Sequence, residues 1–204
     1  MQRFVAFTAD QYAVYKWLGR KFTADLHAEY KWRGTLSHKN EGAFFIGGSM
    51  VEYGFYIISD QYFVDFPDKY LKGNKQERRP HYFAIKDPKT GLYWMVPMST
   101  RLDKYRRIME TREARKQPCD ILHIAKLDND QESVFVIQDI FPVTEKYILR
   151  EYTIAENHLR VTSEKLASVV HKKAKRVLMM IRKGVRFSKT QPNVLAIERK
   201  LLGQ

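Results

Sequence analysis

The sequence predicts an α+β domain: a small antiparallel sheet with flanking helices and a long basic helix near the C-terminus. Three observations lead there. Short runs rich in β-branched and aromatic residues are separated by turn chemistry, a polar helical run sits in the middle, and an amphipathic run with helical spacing comes late. The chain has 204 residues, 44% of them hydrophobic and 13% aromatic, which suffices for one domain with a well-buried core and a small appendage.

In chain order, Val51 to Ser59 (VEYGFYIIS) reads as a first strand, and Asp60 to Tyr70 as a short helix or turn interrupted by Pro67. Leu71 to Arg79 (LKGNKQERR) is polar and contains Gly73, so it reads as an exposed loop. His81 to Ile85 and Leu92 to Met98 flank Asp87-Pro88-Lys89-Thr90-Gly91, whose residues suit a hairpin turn. Leu102 to Lys116 fits a polar surface helix that stops before Pro118. Ile121 to Leu127 and Ser133 to Phe141 read as two further strands around Asp128-Asn129-Asp130.

Thr162 or Ser163 caps the late helix, with Glu164 in its first turn and Gly184 after its end. Leu166, Val170, Ala174, Val177 and Ile181 form its core stripe. The opposite side carries Lys172, Lys173, Lys175, Arg176, Arg182 and Lys183 with no acid among them. Such a single-sign stripe suits either a solvated face or a contact with a phosphate backbone.

The whole chain holds 36 Lys+Arg against 23 Asp+Glu, a formal charge of +13 that draws polyanions. Cys119 is the single cysteine, which excludes an internal disulfide framework and suits a reducing compartment. No stretch approaches the roughly 18 apolar residues of a membrane span, and no signal-peptide core opens the chain. The expected location is the cytoplasm.

Residues 1–49 differ in kind from the rest. Phe7-Thr8-Ala9-Asp10 recurs as Phe22-Thr23-Ala24-Asp25, Tyr15-Lys16-Trp17 as Tyr30-Lys31-Trp32, Ala13 as Ala28 and Gly19 as Gly34, always 15 residues apart. Two copies this short do not make a solenoid. Between them and Met50, Phe44-Phe45-Ile46-Gly47-Gly48 back-translates to a T-run and a purine-rich ribosome-binding sequence just ahead of an ATG. The segment therefore reads as translated upstream non-coding DNA with tandem repeats. Residues 50–204 retain 29 Lys/Arg against 19 Asp/Glu, so the basic character belongs to that body.

The strongest chemical constellation is Arg78-Arg79-Pro80-His81, followed by Ser99-Thr100 and Lys104-Tyr105. A hairpin between them brings His81 and Ser99 together. Metal-free RNA cleavage, in which a 2′-OH attacks the adjacent phosphate, needs proton transfer, positive charge on the phosphorane and preorganised donors. His81 has the residue type for the first, Arg79 and Lys104 for the second, and Ser99 and Thr100 for the third. The bland alternatives are a hydrogen-bonded strand-end histidine and a turn or helix cap. His123, His158 and His171 show no metal-ligand spacing, and there is no phosphate-binding glycine loop, so no metal and no cofactor are expected.

The body resembles the type III toxin-antitoxin endoribonucleases, the ToxN, AbiQ and CptN group, and most of all CptN. The likeness runs through FYIISDQYF, RRPHYFAIKD…GLYWMVPMST, IQDIFPV and EKLASVVHKKAKRVL, whose order and spacing matter more than any one of them. It implies a strongly bent sheet and metal-independent cleavage of adenine-rich RNA to a 2′,3′-cyclic phosphate. The group's hydroxyl pair falls on Ser99 and Thr100, and its basic residue on or near Arg79, where ToxN has lysine; Arg79 or His81 takes that role. The group's antitoxin is a tandem-repeat RNA encoded directly upstream, where this chain has its repeat of 45 bases in translation.

The expectation is thus a cytoplasmic endoribonuclease that cuts cellular mRNA and is held in a closed complex by a repeat RNA it processes. Ser99 and Thr100 grip the phosphate, His81 moves a proton, and Arg79 and Lys104 stabilise charge. Arg78 and the helical residues Lys172, Lys173, Lys175, Arg176, Arg182 and Lys183 track RNA, while Tyr105 and Tyr147 stack on bases. The rivals are a non-catalytic RNA-binding regulator and a structural protein in which residues 1–49 form a partner-binding arm.

Overall fold

The computed structural model describes residues 50–71, 73–127 and 131–204. The repeat-bearing segment and the Asp128-Asn129-Asp130 turn lie outside the described residues. The body is an antiparallel sheet with flanking helices, one of them long and C-terminal.

Strand β1 (Phe55–Ile58) lies between β2 (Pro80–Lys86) and β7 (Ile148–Glu151), paired antiparallel to both. All four of its residues are buried, as a strand covered on both faces requires. It is shorter than the Val51–Ser59 strand expected, because Tyr53 turns the backbone at φ 66. Helix α1 (Asp60–Asp65) follows and pins Tyr62 into the core, its hydroxyl donating to the Pro142 carbonyl at 2.7 Å.

The expected hairpin forms between β2 and β3 (Tyr93–Ser99), with Asp87 and Leu92 closing the turn and Gly91 at φ 70. A register shift between Phe83 and Ile85 adds a bulge. Helix α2 (Leu102–Ala114) then leads to β4 (His123–Lys126) and β5 (Glu132–Phe135). The single strand expected over Ser133–Phe141 is broken by a 3-10 turn at Ile137–Asp139, after which β6 (Phe141–Val143) begins. Both pieces pair with the same strand: β5 meets Met98 and Ser99, and β6 meets Tyr93 to Met95. Three more residues elapse between Phe135 and Phe141 than between Met95 and Met98, so the extra residues loop out of the pairing there.

A 3-10 turn at Glu145–Tyr147 precedes β7, and β8 (Thr153–Ile154) with β9 (Asn157–His158) forms a separate small hairpin. Helix α3 (Glu164–Arg182) starts at Ser163, whose hydroxyl accepts the Leu166 amide, and ends before Gly184 at φ 85. Its buried stripe is Ala167, Val170, Ala174, Val177, Leu178 and Ile181. A last helix, α4 (Val194–Leu201), packs on β6. Among the described residues no helix is long and apolar enough to cross a membrane.

Candidate functional site

The site is built where β2 begins and β3 ends. His81 pairs with Pro97 across the hairpin, so Arg79, just before β2, and Ser99, the last residue of β3, stand at the same end of it. The sequence expectation that the hairpin gathers these residues is what its register delivers.

Ser99 sits at the rim, half-buried, and its Oγ accepts the amide of Arg101 at 3.3 Å. Thr100 is exposed, and its carbonyl accepts the Leu102 amide at 2.9 Å. Neither hydroxyl caps α2, whose N-cap is Arg101 with no side-chain cap bond. The turn thus presents two hydroxyls and the exposed Arg101 guanidinium together. Arg101 was not singled out from the sequence; its position two residues after Ser99, at the mouth of a helix, was the available signal.

Arg79 is partly buried and donates to the Gly73 carbonyl at 3.1 Å. Desolvation pulls its pKa down, Tyr105 and Asp139 oppose that, and Arg101 adds to it, so these four groups lie in one electrostatic neighbourhood. Asp139 is nearly buried beside it, on the 3-10 turn. Arg78 is exposed on the adjoining loop, where Asn74 is 1% exposed: its amide group donates to Ile58, and its carbonyl accepts from the Arg78 and Arg79 amides. The stretch expected to be wholly exposed is therefore anchored from inside by Asn74.

His81 is a different matter. It is 1% exposed and stands edge-on to Phe141 at 5.2 Å, its ring nitrogens near the backbone of Tyr56 and Arg79 but without a hydrogen bond of good geometry. Burial, and then the Arg79 charge, lower its pKa to about 3. It is a buried ring under the site, so its exposure lends no support to the proton-transfer role expected of it.

The aromatic expectations change for the same reason. Tyr105 is 4% and Tyr147 5% exposed, so neither ring offers a face to a base. Tyr147 instead packs against Tyr62 and Phe66 and donates to Asp65 at 2.7 Å. Lys104 is exposed, its ammonium 5.3 Å from the Tyr105 ring centroid.

The helical cations lie apart from this cluster and divide into two sets. Lys173 turns inward and donates to the Cys119 and Leu122 carbonyls at 2.7 and 2.9 Å. Arg176 forms a two-point pair with Asp120, and Arg182 reaches both Asp87 and Glu198. Acids from other elements thus balance a stripe that has none of its own. Lys172, Lys175 and Lys183 are exposed and make no ion pair among the described residues. Nor do those residues include three His, Cys, Asp or Glu side chains grouped as a metal ion needs.

No protein-family model matches the sequence. No curated protein matches it either. Among solved structures, the chain is similar to AbiQ, a lactococcal anti-phage endoribonuclease belonging to the type III toxin-antitoxin system, with a TM-score of 0.57. The identity is 10%, over 74% of this chain and 96% of AbiQ, so the likeness is one of fold.

Proposed function

We propose that residues 50–204 are an endoribonuclease toxin of the type III toxin-antitoxin kind, acting in phage defence without a metal ion. The observation that carries this reading is that Arg79, Ser99, Thr100 and Arg101 stand at one end of the hairpin, with Arg79 and Arg101 near enough for their charges to interact, on a fold similar to that of AbiQ. In this reading the hydroxyls and the Arg101 helix mouth grip the scissile phosphate, and Arg79, Arg101 and Lys104 stabilise the phosphorane. The 2′-oxygen bonds to phosphorus as the bond to the 5′-oxygen breaks. The 2′-OH proton passes through solvent or a phosphate oxygen to the departing 5′-oxygen. The products are a 2′,3′-cyclic phosphate and a 5′-hydroxyl.

Here His81 is a positioning residue: a neutral, buried ring that sets the strand end carrying Arg79. In this reading the chain is CptN-like within that group. Cellular mRNA is the substrate, and the upstream repeat RNA is the antitoxin, processed and bound in a closed complex in the cytoplasm. Residues 1–49 are the translated repeat region, and the native chain starts at Met50. Support comes from Met50 being buried and from the Val51 amide and carbonyl both pairing with the Tyr56 hydroxyl, so the folded body uses the chain from there on. Mass spectrometry of natively expressed protein tests this, and a product starting at Met1 refutes it.

The burial of His81 favours a second reading, an RNA-binding regulator that does not cut. Incubating purified protein with repeat RNA and EDTA separates the two. Cyclic-phosphate ends support the nuclease, and salt-sensitive binding with intact RNA supports the regulator.

A further inference from the structure

A hollow lies at the other end of the hairpin, a strand length or roughly 20 Å from Ser99. It has a volume of about 830 Å³. One wall is α3, which contributes His171, Lys175, Leu178, Met179, Arg182 and Lys183; the other is Ile85, Lys86, Asp87 and Pro88 with Glu52 beside them. His171 seats the helix against β2 by donating from Nδ1 to the Ala84 carbonyl at 3.0 Å. The α3 positions run from 171 to 182 in steps of three and four, so the hollow is a trough on the order of 16 Å long rather than a closed chamber. Its length is that of about three turns of helix.

The chemistry of its lining narrows the occupant. The apolar part is aliphatic: Ile85, Leu178, Pro88 and Met179, the last 51% exposed although large and hydrophobic. Among the described residues that line it there is no Phe, Tyr or Trp ring to stack on a base, the His171 imidazole is tied to the Ala84 carbonyl, and the Glu52 carboxylate repels phosphate. Arg182 is shared between Asp87 and Glu198, and Lys86, Lys175 and Lys183 stand with Glu52, so the lining keeps a cationic excess around an oily floor. A flexible exposed methionine beside aliphatic neighbours is typical of surfaces that take up helical peptides. Residues 1–49 do not suit this rim, since they carry seven Lys/Arg against four Asp/Glu and share its sign.

We propose that this trough docks an acidic amphipathic helix of a protein partner, with aliphatic side chains on the floor and Asp or Glu facing Lys86, Lys175 and Lys183. The interaction is separate from RNA cleavage and needs no RNA. The test uses the full chain and a labelled 18-residue peptide with Leu at i, i+3, i+4 and i+7 and Glu on the flanks, followed by fluorescence anisotropy. Saturable binding is expected, weakened about tenfold or more, roughly 1.4 kcal/mol, in Met179→Glu and in Lys86→Glu. It is equally weakened when the peptide's Glu residues become Lys. Circular dichroism confirms that both variants fold, as substitutions of exposed residues should. Equal affinity for a scrambled peptide, or binding indifferent to both variants, overturns the proposal. So does repeat RNA that displaces the peptide and binds Met179→Glu more weakly, which gives the trough to nucleic acid. RNA cleavage by Met179→Glu is expected to equal that of the parent, so a failed nuclease reading and a failed docking reading give different results.

Discussion

One set of cations stands at the Ser99 end of the hairpin and another along α3, and the two are treated in opposite ways. At the Ser99 end, Arg79 spends its charge on a single carbonyl, and Arg101 and Lys104 stand exposed beside two hydroxyls. On α3, Arg176 and Arg182 are held by Asp120, Asp87 and Glu198, and Lys173 is sunk onto two carbonyls. Charge count is therefore a poor guide to where an anion goes. A guanidinium already paired with carboxylates must give up those pairs before it can serve a phosphate, whereas an underemployed one is ready.

The largest effect expected from this contrast is on cleavage. Ser99→Ala and Arg79→Ala should each lower kcat by about 10²- to 10³-fold with the fold intact, as loss of one preorganised donor or charge does. Single-turnover cleavage of repeat RNA checks this, and rates within a few-fold of the parent would remove the site from the Ser99 end.

Acid stability is next. Because the fold holds His81 at about 3, below the ordinary 6.5, the neutral form is the folded one. Its contribution is complete above about pH 6.5 and drains as pH falls toward 3, at ~1.4 kcal/mol per pH unit. His123, held at about 4 by burial and by Lys173, drains over an overlapping range. In urea melts from pH 7 to 4, His81→Leu should lose stability less steeply than the parent. Its cleavage pH profile should lose no limb; disappearance of a limb would restore His81 as a proton carrier.

Lys173→Ala should lower stability by ~1–3 kcal/mol, because two half-buried carbonyls lose their donor. A thermal melt shows that loss, and RNA affinity should barely change. If instead RNA affinity falls and stability holds, the paired and unpaired halves of α3 have been misdivided. The smallest effect belongs to an exposed lysine outside the trough: Lys172→Ala should reduce the salt dependence of RNA binding by about one unit of log–log slope, with unchanged melting.

Much of this was legible in advance. The hairpin was announced by Asp87-Pro88-Lys89-Thr90-Gly91, and Gly91 does adopt the left-handed conformation the turn needs. Helix α3 was announced by its apolar spacing and by Ser163 and Gly184, because capping and periodicity are local properties. The break between β5 and β6 was not, since Ser133 to Phe141 is continuously strand-like and only pairing with two parts of β3 divides it. Helix α4 was likewise missed: at eight residues it is too short to persist without β6 beneath it.

By itself the sequence determined the antiparallel α+β class, the basic excess and the β2–β3 hairpin. Each of these follows from residue spacing or composition along the chain. Only the tertiary structure decided which polar groups are available. His81, Tyr105 and Tyr147 carry reactive or stacking groups in any alignment of letters, yet the fold buries all three, while Arg101 stays in the open. Burial and pairing depend on residues distant in sequence, such as Phe141 over His81 and Asp120 against Arg176, and no local pattern along the chain encodes those encounters.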